Sequence, residues 1–133
     1  MENNKYHILI VEDDKEIRDG VEIYLKNQGY QVWKAANGKE GLEIVAQEEI
    51  HLAILDIMMP VMDGLTATRT IRILERQDAK TIPIIAMTAN AFREDAEKCM
   101  EAGMNAHLAK PLDDEKIKQT ISEELRRSNA CHE

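Results

Sequence analysis

The sequence predicts an α/β domain built from five strand–helix units, (βα)5, with a parallel sheet between two layers of helices. Short β-branched runs alternate with helical patterns along the whole chain. Three of these runs are almost continuously apolar, as strands covered on both faces must be. Glycines stand where helices should end, each followed within a few residues by a strand. The 133 residues fit one domain. A chain of that size buries roughly two-thirds of its unfolded surface, so no disulfide or metal staple is needed.

The first run is His7–Val11 (HILIV). Ile17, Val21 and Leu25 then recur at i, i+4 and i+8, an amphipathic helix closed by Gly29. The second run, Gln31–Ala35 (QVWKA), mixes polar and apolar residues and suits a sheet edge. Asn37-Gly38 reads as a turn, and Leu42, Val45 and Ala46 form the next stripe. The third run is Leu52–Leu55 (LAIL), followed by a second turn signal at Asp63-Gly64. Arg69, Arg72 and Arg76 share a face at i, i+3 and i+7 and read as a solvated stripe. The fourth run, Ile82–Met87 (IPIIAM), precedes a stripe of Ala96, Cys99, Met100 and Gly103, with Gly103 as the helix end. Ala106–Ala109 (AHLA) is the fifth run, and Ile117, Ile121 and Leu125 the last stripe. Right-handed crossovers leave few ways to assemble these units. There is no linker, low-complexity tract or short-period repeat; the domain is expected over residues 5–127, with 128–133 as a tail.

Composition excludes several functions. Asp and Glu number 25 against 17 Lys and Arg, a formal charge of −8. That sign disfavours direct binding to nucleic acid or to anionic membranes. Five aromatic residues, Tyr6, Tyr24, Tyr30, Trp33 and Phe92, are too few for base-stacking platforms. Cys99 and Cys131 make neither a disulfide framework nor a zinc motif, and His7, His51 and His132 have no ligand spacing. The polar N-terminus and short apolar runs predict a cytoplasmic protein without signal peptide or membrane span.

In open α/β sheets, sites form at the carboxyl ends of the strands. Glu12-Asp13-Asp14 follows the first run, Asp56 the third, Thr88 the fourth and Lys110-Pro111 the fifth. Asp14 suits a helix N-cap. Glu12 belongs to the strand end instead, and Asp56 is a carboxylate between apolar neighbours that needs compensation. Carboxylates crowded together repel unless a cation joins them, and an all-oxygen donor set favours a hard ion such as Mg2+. Mg2+, an ammonium and a hydroxyl around an Asp form a set able to hold phosphoryl oxygens while a carboxylate attacks phosphorus. Met58, Met59 and Met62 flank Pro60 and read as packing around the site loop.

From Lys5 to Arg127 the sequence resembles the receiver domains of two-component response regulators, through ILIVEDD, LAILDIMMPVMDG, IIAMTAN and LAKPL in the family's order and spacing. The resemblance implies a flavodoxin-like three-layer sandwich with strand order 2-1-3-4-5. It implies that Asp56 is the phosphoacceptor and that Glu12, Asp13, Asp56 and the Met58 backbone carbonyl hold Mg2+. Thr88 would bond the incoming phosphoryl group and move with it, and Lys110 would pair with a phosphoryl oxygen. A cis bond is usual before the proline corresponding to Pro111. The family's second switch position is often Tyr or Phe; here it is His107. Met58 and Asn90 resemble positions that modulate dephosphorylation.

The implied partners are a histidine kinase or a histidine phosphotransfer protein, together with a phosphorylation-dependent dimer through the face of the fourth and fifth units. The wording AMTANAF…EAGMNAHLAKPL is most similar to receivers of hybrid histidine kinases. The 23 residues after Lys110 suffice for one helix, so output is expected through protein contact. Other classes fit less well. A haloacid-dehalogenase-like phosphatase needs a DxDx[TV] motif, whereas Asp56 is followed by Ile57-Met58. A flavodoxin-like cofactor binder needs a Gly/Ser/Thr-rich loop after the first strand. A receiver-like module that is never phosphorylated would not need all of Glu12, Asp13, Asp56, Thr88 and Lys110.

Overall fold

The computed structural model describes residues 6–57, 62–74, 81–88, 93–110 and 112–132, with backbone alone for 93–96 and 128–132. The elements follow one another as β1 (His7–Val11), α1 (Lys15–Asn27), β2 (Gln31–Ala35), α2 (Gly38–Gln47), β3 (Leu52–Asp56), α3 (Gly64–Arg72), β4 (Ile84–Thr88), α4 (Arg93–Ala102), β5 (Ala106–Ala109) and α5 (Asp114–His132). All strand pairs are parallel, in the order β2-β1-β3-β4-β5. The mixed run QVWKA is therefore an edge, as its composition requires.

Alternation along the strands divides the core between the two faces. Ile8, Ile10, Leu52, Ile54, Ile85 and Met87 pack with Val21 and Leu25 of α1 and Ile117, Ile121 and Leu125 of α5. Leu9, Val11, Ala53, Leu55, Ile84 and Ala86 pack with Val45 of α2, Ala67 and Ile71 of α3, and Cys99 of α4. Two helices thus cover one face and three the other.

Several local expectations change. Asn37 and Asp63 do not make free-standing turns: each is a helix N-cap, accepting from Glu40 N–H at 2.9 Å and Thr66 N–H at 2.7 Å. In α2, Val45 is buried and Leu42 packs half-buried against the core as expected, but Ala46 is exposed and Gly38 and Gly41 complete the inward face. Gly41 lies so close to Val11 that a Cβ there would meet its Cγ2 at 2.8 Å. On α4, Cys99 and Ala102 are buried while Met100 is 62% exposed. The fourth strand begins at Ile84, after Pro83, whose missing N–H suits a strand start. Gly29 and Gly103 both have positive φ, 94° and 106°, as helix ends closed by glycine require. Helix α5 carries on through 128–132, the segment expected as a tail.

Arg72 is no solvated residue. Its Nε and Nη2 donate to Gly103 O at 3.0 and 2.6 Å, Nη1 to Ile82 O at 2.7 Å, and Nη2 also to Asn105 Oδ1 at 2.8 Å. Asn105 Oδ1 in turn accepts from Ile84 N–H at 2.9 Å. The guanidinium thus ties the end of α3 to the starts of β4 and β5. Burial holds its pKa below the ordinary value. His7 and His51 serve the strand starts rather than a ligand: His7 N–H donates to His51 Nδ1 at 2.8 Å. Among the described residues, no helix is long and apolar enough to cross a membrane.

Candidate functional site

Parallel pairing brings the carboxyl ends of β1, β3, β4 and β5 to one edge of the sheet. Glu12 extends β1 by one residue, its N–H donating to Ala35 O at 3.1 Å. Its side chain is fully buried. Glu12 Oε1 accepts from Asp14 N–H at 3.0 Å, which folds the carboxylate back over the start of α1. Asp14 caps that helix, accepting from Glu16 N–H at 2.9 Å and Ile17 N–H at 3.2 Å. Between them Asp13 is exposed. Asp56 ends β3 and is 3% exposed. Strand pairing continues past it, with Ile57 N–H donating to Met87 O at 3.1 Å.

Lys110 reaches this group from the end of β5. Its Nζ lies 2.9 Å from Asp56 Oδ2 and 3.0 Å from Glu12 Oε2. The contact with Asp56 is a directed hydrogen bond, whereas Glu12 Oε2 faces the ammonium without receiving one. Thr88, buried at the end of β4, accepts the Lys110 N–H on its carbonyl at 2.8 Å. The hydroxyl-bearing residue and the ammonium-bearing residue are therefore joined through the backbone.

Electrostatics follow from this crowding. Burial pushes the Glu12 carboxyl up to about 7; the Asp14 N–H and the Lys110 ammonium oppose the rise, and the neighbouring Asp56 adds to it. Burial works to lower the Lys110 pKa, but Asp56 and Glu12 outweigh it and the net direction is upward. Glu12, Asp13 and Asp56 each offer a carboxylate oxygen within 4.8 Å of the others. One ammonium does not neutralise three carboxylates, and the donor set is all oxygen. The residues fit a hard divalent cation.

The structure brings Glu12, Asp13, Asp56 and Lys110 together, with Thr88 at the adjoining strand end. His107 is exposed on β5, opposite Ala86 in the register. Met58, Asn90 and the Lys110-Pro111 bond lie outside the described residues. Two further residues shape the site that the strand-end pattern does not identify. Arg18 Nη1 donates to Glu12 O at 2.8 Å. Gly64 packs against the Asp56 backbone, where a Cβ would come within 2.9 Å of the carbonyl carbon. The Asp63-Gly64 turn signal marked the second; no periodicity marks the first.

Comparison with known proteins agrees with this geometry. Residues 8–122 match the profile of the response regulator receiver domain. The chain is 41% identical to regulatory protein VanR of Enterococcus faecium over 120 residues, covering 90% of this chain and 50% of that protein. It is 36% identical to sensor histidine kinase RcsC of Escherichia coli, covering 91% of this chain and 12% of that protein. The chain thus spans half or less of these relatives. Among solved structures, the receiver domain of sensor histidine kinase PA1611 from Pseudomonas aeruginosa, with a magnesium ion coordinated in its active site cleft, superposes with a TM-score of 0.83. That pair is 35% identical, covering 90% of this chain and 97% of that one. A putative response regulator from Chloroflexus aurantiacus has a TM-score of 0.85 at 30% identity, over 91% and 98% of the two chains. With its fold, its acidic pocket and its sequence in accord, the chain belongs to the response regulator receiver domains of two-component systems.

Proposed function

We propose that Asp56 accepts a phosphoryl group from a phosphohistidine of a histidine kinase or a histidine phosphotransfer protein. In this step the N–P bond of the donor breaks and an O–P bond to the Asp56 carboxylate forms, giving a mixed anhydride. Hydrolysis then returns the carboxylate and inorganic phosphate, so the domain assists its own phosphorylation and dephosphorylation without turning over a separate substrate. The observation that carries this reading is the buried Asp56 carboxylate held 2.9 Å from Lys110 beside two further acids. A carboxylate so placed is fixed in direction and partly stripped of water, which favours attack on phosphorus.

Glu12, Asp13 and Asp56, with the Met58 carbonyl, would hold Mg2+. When bound, the ion supplies positive charge to the phosphoryl oxygens and offsets carboxylate repulsion. Lys110 is already poised at Asp56 and can transfer its hydrogen bond to a phosphoryl oxygen. Thr88 would follow the new phosphoryl group and, being linked through its carbonyl to the Lys110 N–H, carry that change into β5. His107 would report the change on the exposed side of β5. Output would pass to protein partners through the α4–β5–α5 face, including a second phosphorylated copy; the acidic charge of −8 speaks against direct nucleic-acid binding and membrane attachment.

Intact mass after treatment with acetyl phosphate and Mg2+ tests this reading. The expected result is a gain of about 80 Da, the mass of one phosphoryl group, that is absent without Mg2+ and in Asp56→Asn. A gain that survives Asp56→Asn would move the acceptor elsewhere. No gain from acetyl phosphate or from a phosphorylated kinase would leave a domain that only binds partners.

A further inference from the structure

The turn from β1 into α1 is held by hydrogen bonds on both sides of Asp13. Glu12 N–H is held by Ala35 O at 3.1 Å, and the Glu12 carboxylate by Asp14 N–H at 3.0 Å. Asp14 O accepts the first helical bond from Arg18 N–H at 2.9 Å. The carbonyl of Glu12 belongs to the peptide plane that leads into Asp13. Its partner is the side chain of Arg18, one turn into α1, with Nη1 at 2.8 Å.

We propose that Arg18 is a positioning residue for divalent-cation binding, acting through the Glu12 carbonyl to fix the peptide plane that carries Asp13 beside Glu12 and Asp56. This inference rests on the metal reading given above. Glu12, Asp13 and Asp56 are like charges that separate if the chain lets them. Cation affinity depends on their being held together beforehand, so that the ion does not have to reorganise the turn. Glu12 is fixed by its own burial and bonds. Asp13 is exposed, and among the described residues its side chain has no hydrogen-bond or ion-pair partner, so its backbone places it. The bond from Arg18 controls that backbone.

The sign of the effect separates position from charge. As a cation near the site, Arg18 repels a second cation, so by Coulomb's law its removal tightens metal binding. As a positioning group, its removal weakens binding. Arg18→Met keeps the aliphatic stem and loses both the charge and the donor; Arg18→Lys keeps the charge and a single donor.

The test is calorimetric titration of the full chain with MgCl2, beside urea unfolding with EDTA and with saturating Mg2+. Arg18→Met is expected to weaken Mg2+ binding about 10-fold, with Arg18→Lys between it and the wild type. In phosphorylation by acetyl phosphate, the Mg2+ concentration for half-maximal rate should rise while the plateau rate is kept. A purely structural role would instead lower the urea midpoint equally with and without Mg2+ and leave the titration unchanged. Unchanged or tighter binding in Arg18→Met overturns the proposal. Should Arg18→Met fail to fold, Arg18→Gln, too short to span to the carbonyl, is read by the same criteria. A wild-type chain that binds no Mg2+ overturns the metal reading itself, a result separate from any difference between variants.

Discussion

The Lys110 ammonium stands 2.9 Å from Asp56 Oδ2, and the same nitrogen lies 3.0 Å from Glu12 Oε2. One side chain from the end of β5 therefore restrains two buried acids delivered by β1 and β3. Among the described residues Lys110 is the cation at this point, and a metal would be the second. Replacing it with an uncharged side chain leaves both carboxylates buried without that compensation.

Lys110→Met is accordingly expected to destabilise the metal-free protein by about 3 kcal/mol, the usual result of removing one partner from a buried ion pair. Added Mg2+ should recover much of this, because it offsets the same repulsion. Urea midpoints in EDTA and in Mg2+ measure both quantities. A variant as stable as wild type in EDTA would mean that the acids accept a proton at little cost.

Stability should also depend on pH through Glu12, whose carboxyl is pushed up to about 7 chiefly by burial. In the unfolded chain it returns to its ordinary value of 4.5. Between these values the folded protein keeps a proton that the unfolded chain has released. The contribution of this group is fully present at low pH, falls as pH rises through that window, and levels off above about 7. Glu12→Gln should remove that slope, by an amount on the order of 2 kcal/mol between pH 5 and 7.5 in EDTA. Wild type and variant that lose stability in parallel would assign the slope to another group, such as Glu124, whose pKa burial also raises.

The strand ends were legible because two independent patterns coincide there. Apolar runs fix where β1, β3, β4 and β5 lie, and the residue after each run is polar in a way the core does not explain. The placement of Glu12, Asp13, Asp56, Thr88 and Lys110 at one end of the sheet is therefore readable from sequence. Arg72 could not. Its helical spacing with Arg69 and Arg76 suggested a solvated face, but its partners are carbonyls 10 and 31 residues away, at Ile82 and Gly103. Arg18 was hidden for a similar reason: its partner is the backbone at Glu12, and backbone acceptors leave no mark in a pattern of side-chain types. In α2, Leu42 and Val45 of the expected stripe do face the core, but Ala46 is exposed and the buried positions beside Val45 are Gly38 and Gly41. Close approach of Gly41 to Val11 and of Gly38 to Met62 leaves no room for a side chain at either position, which a hydrophobic pattern cannot register.

Arg72→Ala should cost about 3 kcal/mol, since it strips several buried or half-buried acceptors of their donors at once. Arg72→Lys should recover only a small part, because a single ammonium cannot meet Gly103 O, Ile82 O and Asn105 Oδ1 in their fixed directions. The site at the opposite end of the strands should keep its Mg2+ affinity in both variants. Chemical denaturation together with the Mg2+ titration checks the pair of statements. A neutral Arg72→Ala would return the residue to the solvated stripe that its spacing first suggested.

Two glycines should respond with opposite signs to the same substitution. At Gly64 a Cβ would press on the Asp56 carbonyl oxygen, with the carbonyl carbon at 2.9 Å and Ile57 Cα at 3.0 Å. All three are backbone atoms, which cannot rotate aside. Gly64→Ala is therefore expected to cost about 2 kcal/mol and to slow phosphorylation, because relief requires moving Asp56 itself. At Gly20, within α1, a Cβ would meet nothing within 4 Å. Gly20→Ala should stabilise the protein by about 0.8 kcal/mol through helix propensity alone. It should leave phosphorylation by acetyl phosphate unchanged. Unfolding midpoints and phosphorylation rates of the two variants, measured side by side, check the contrast. A harmless Gly64→Ala would show that the loop after β3 yields without disturbing Asp56, and would remove Gly64 from the residues that shape the site.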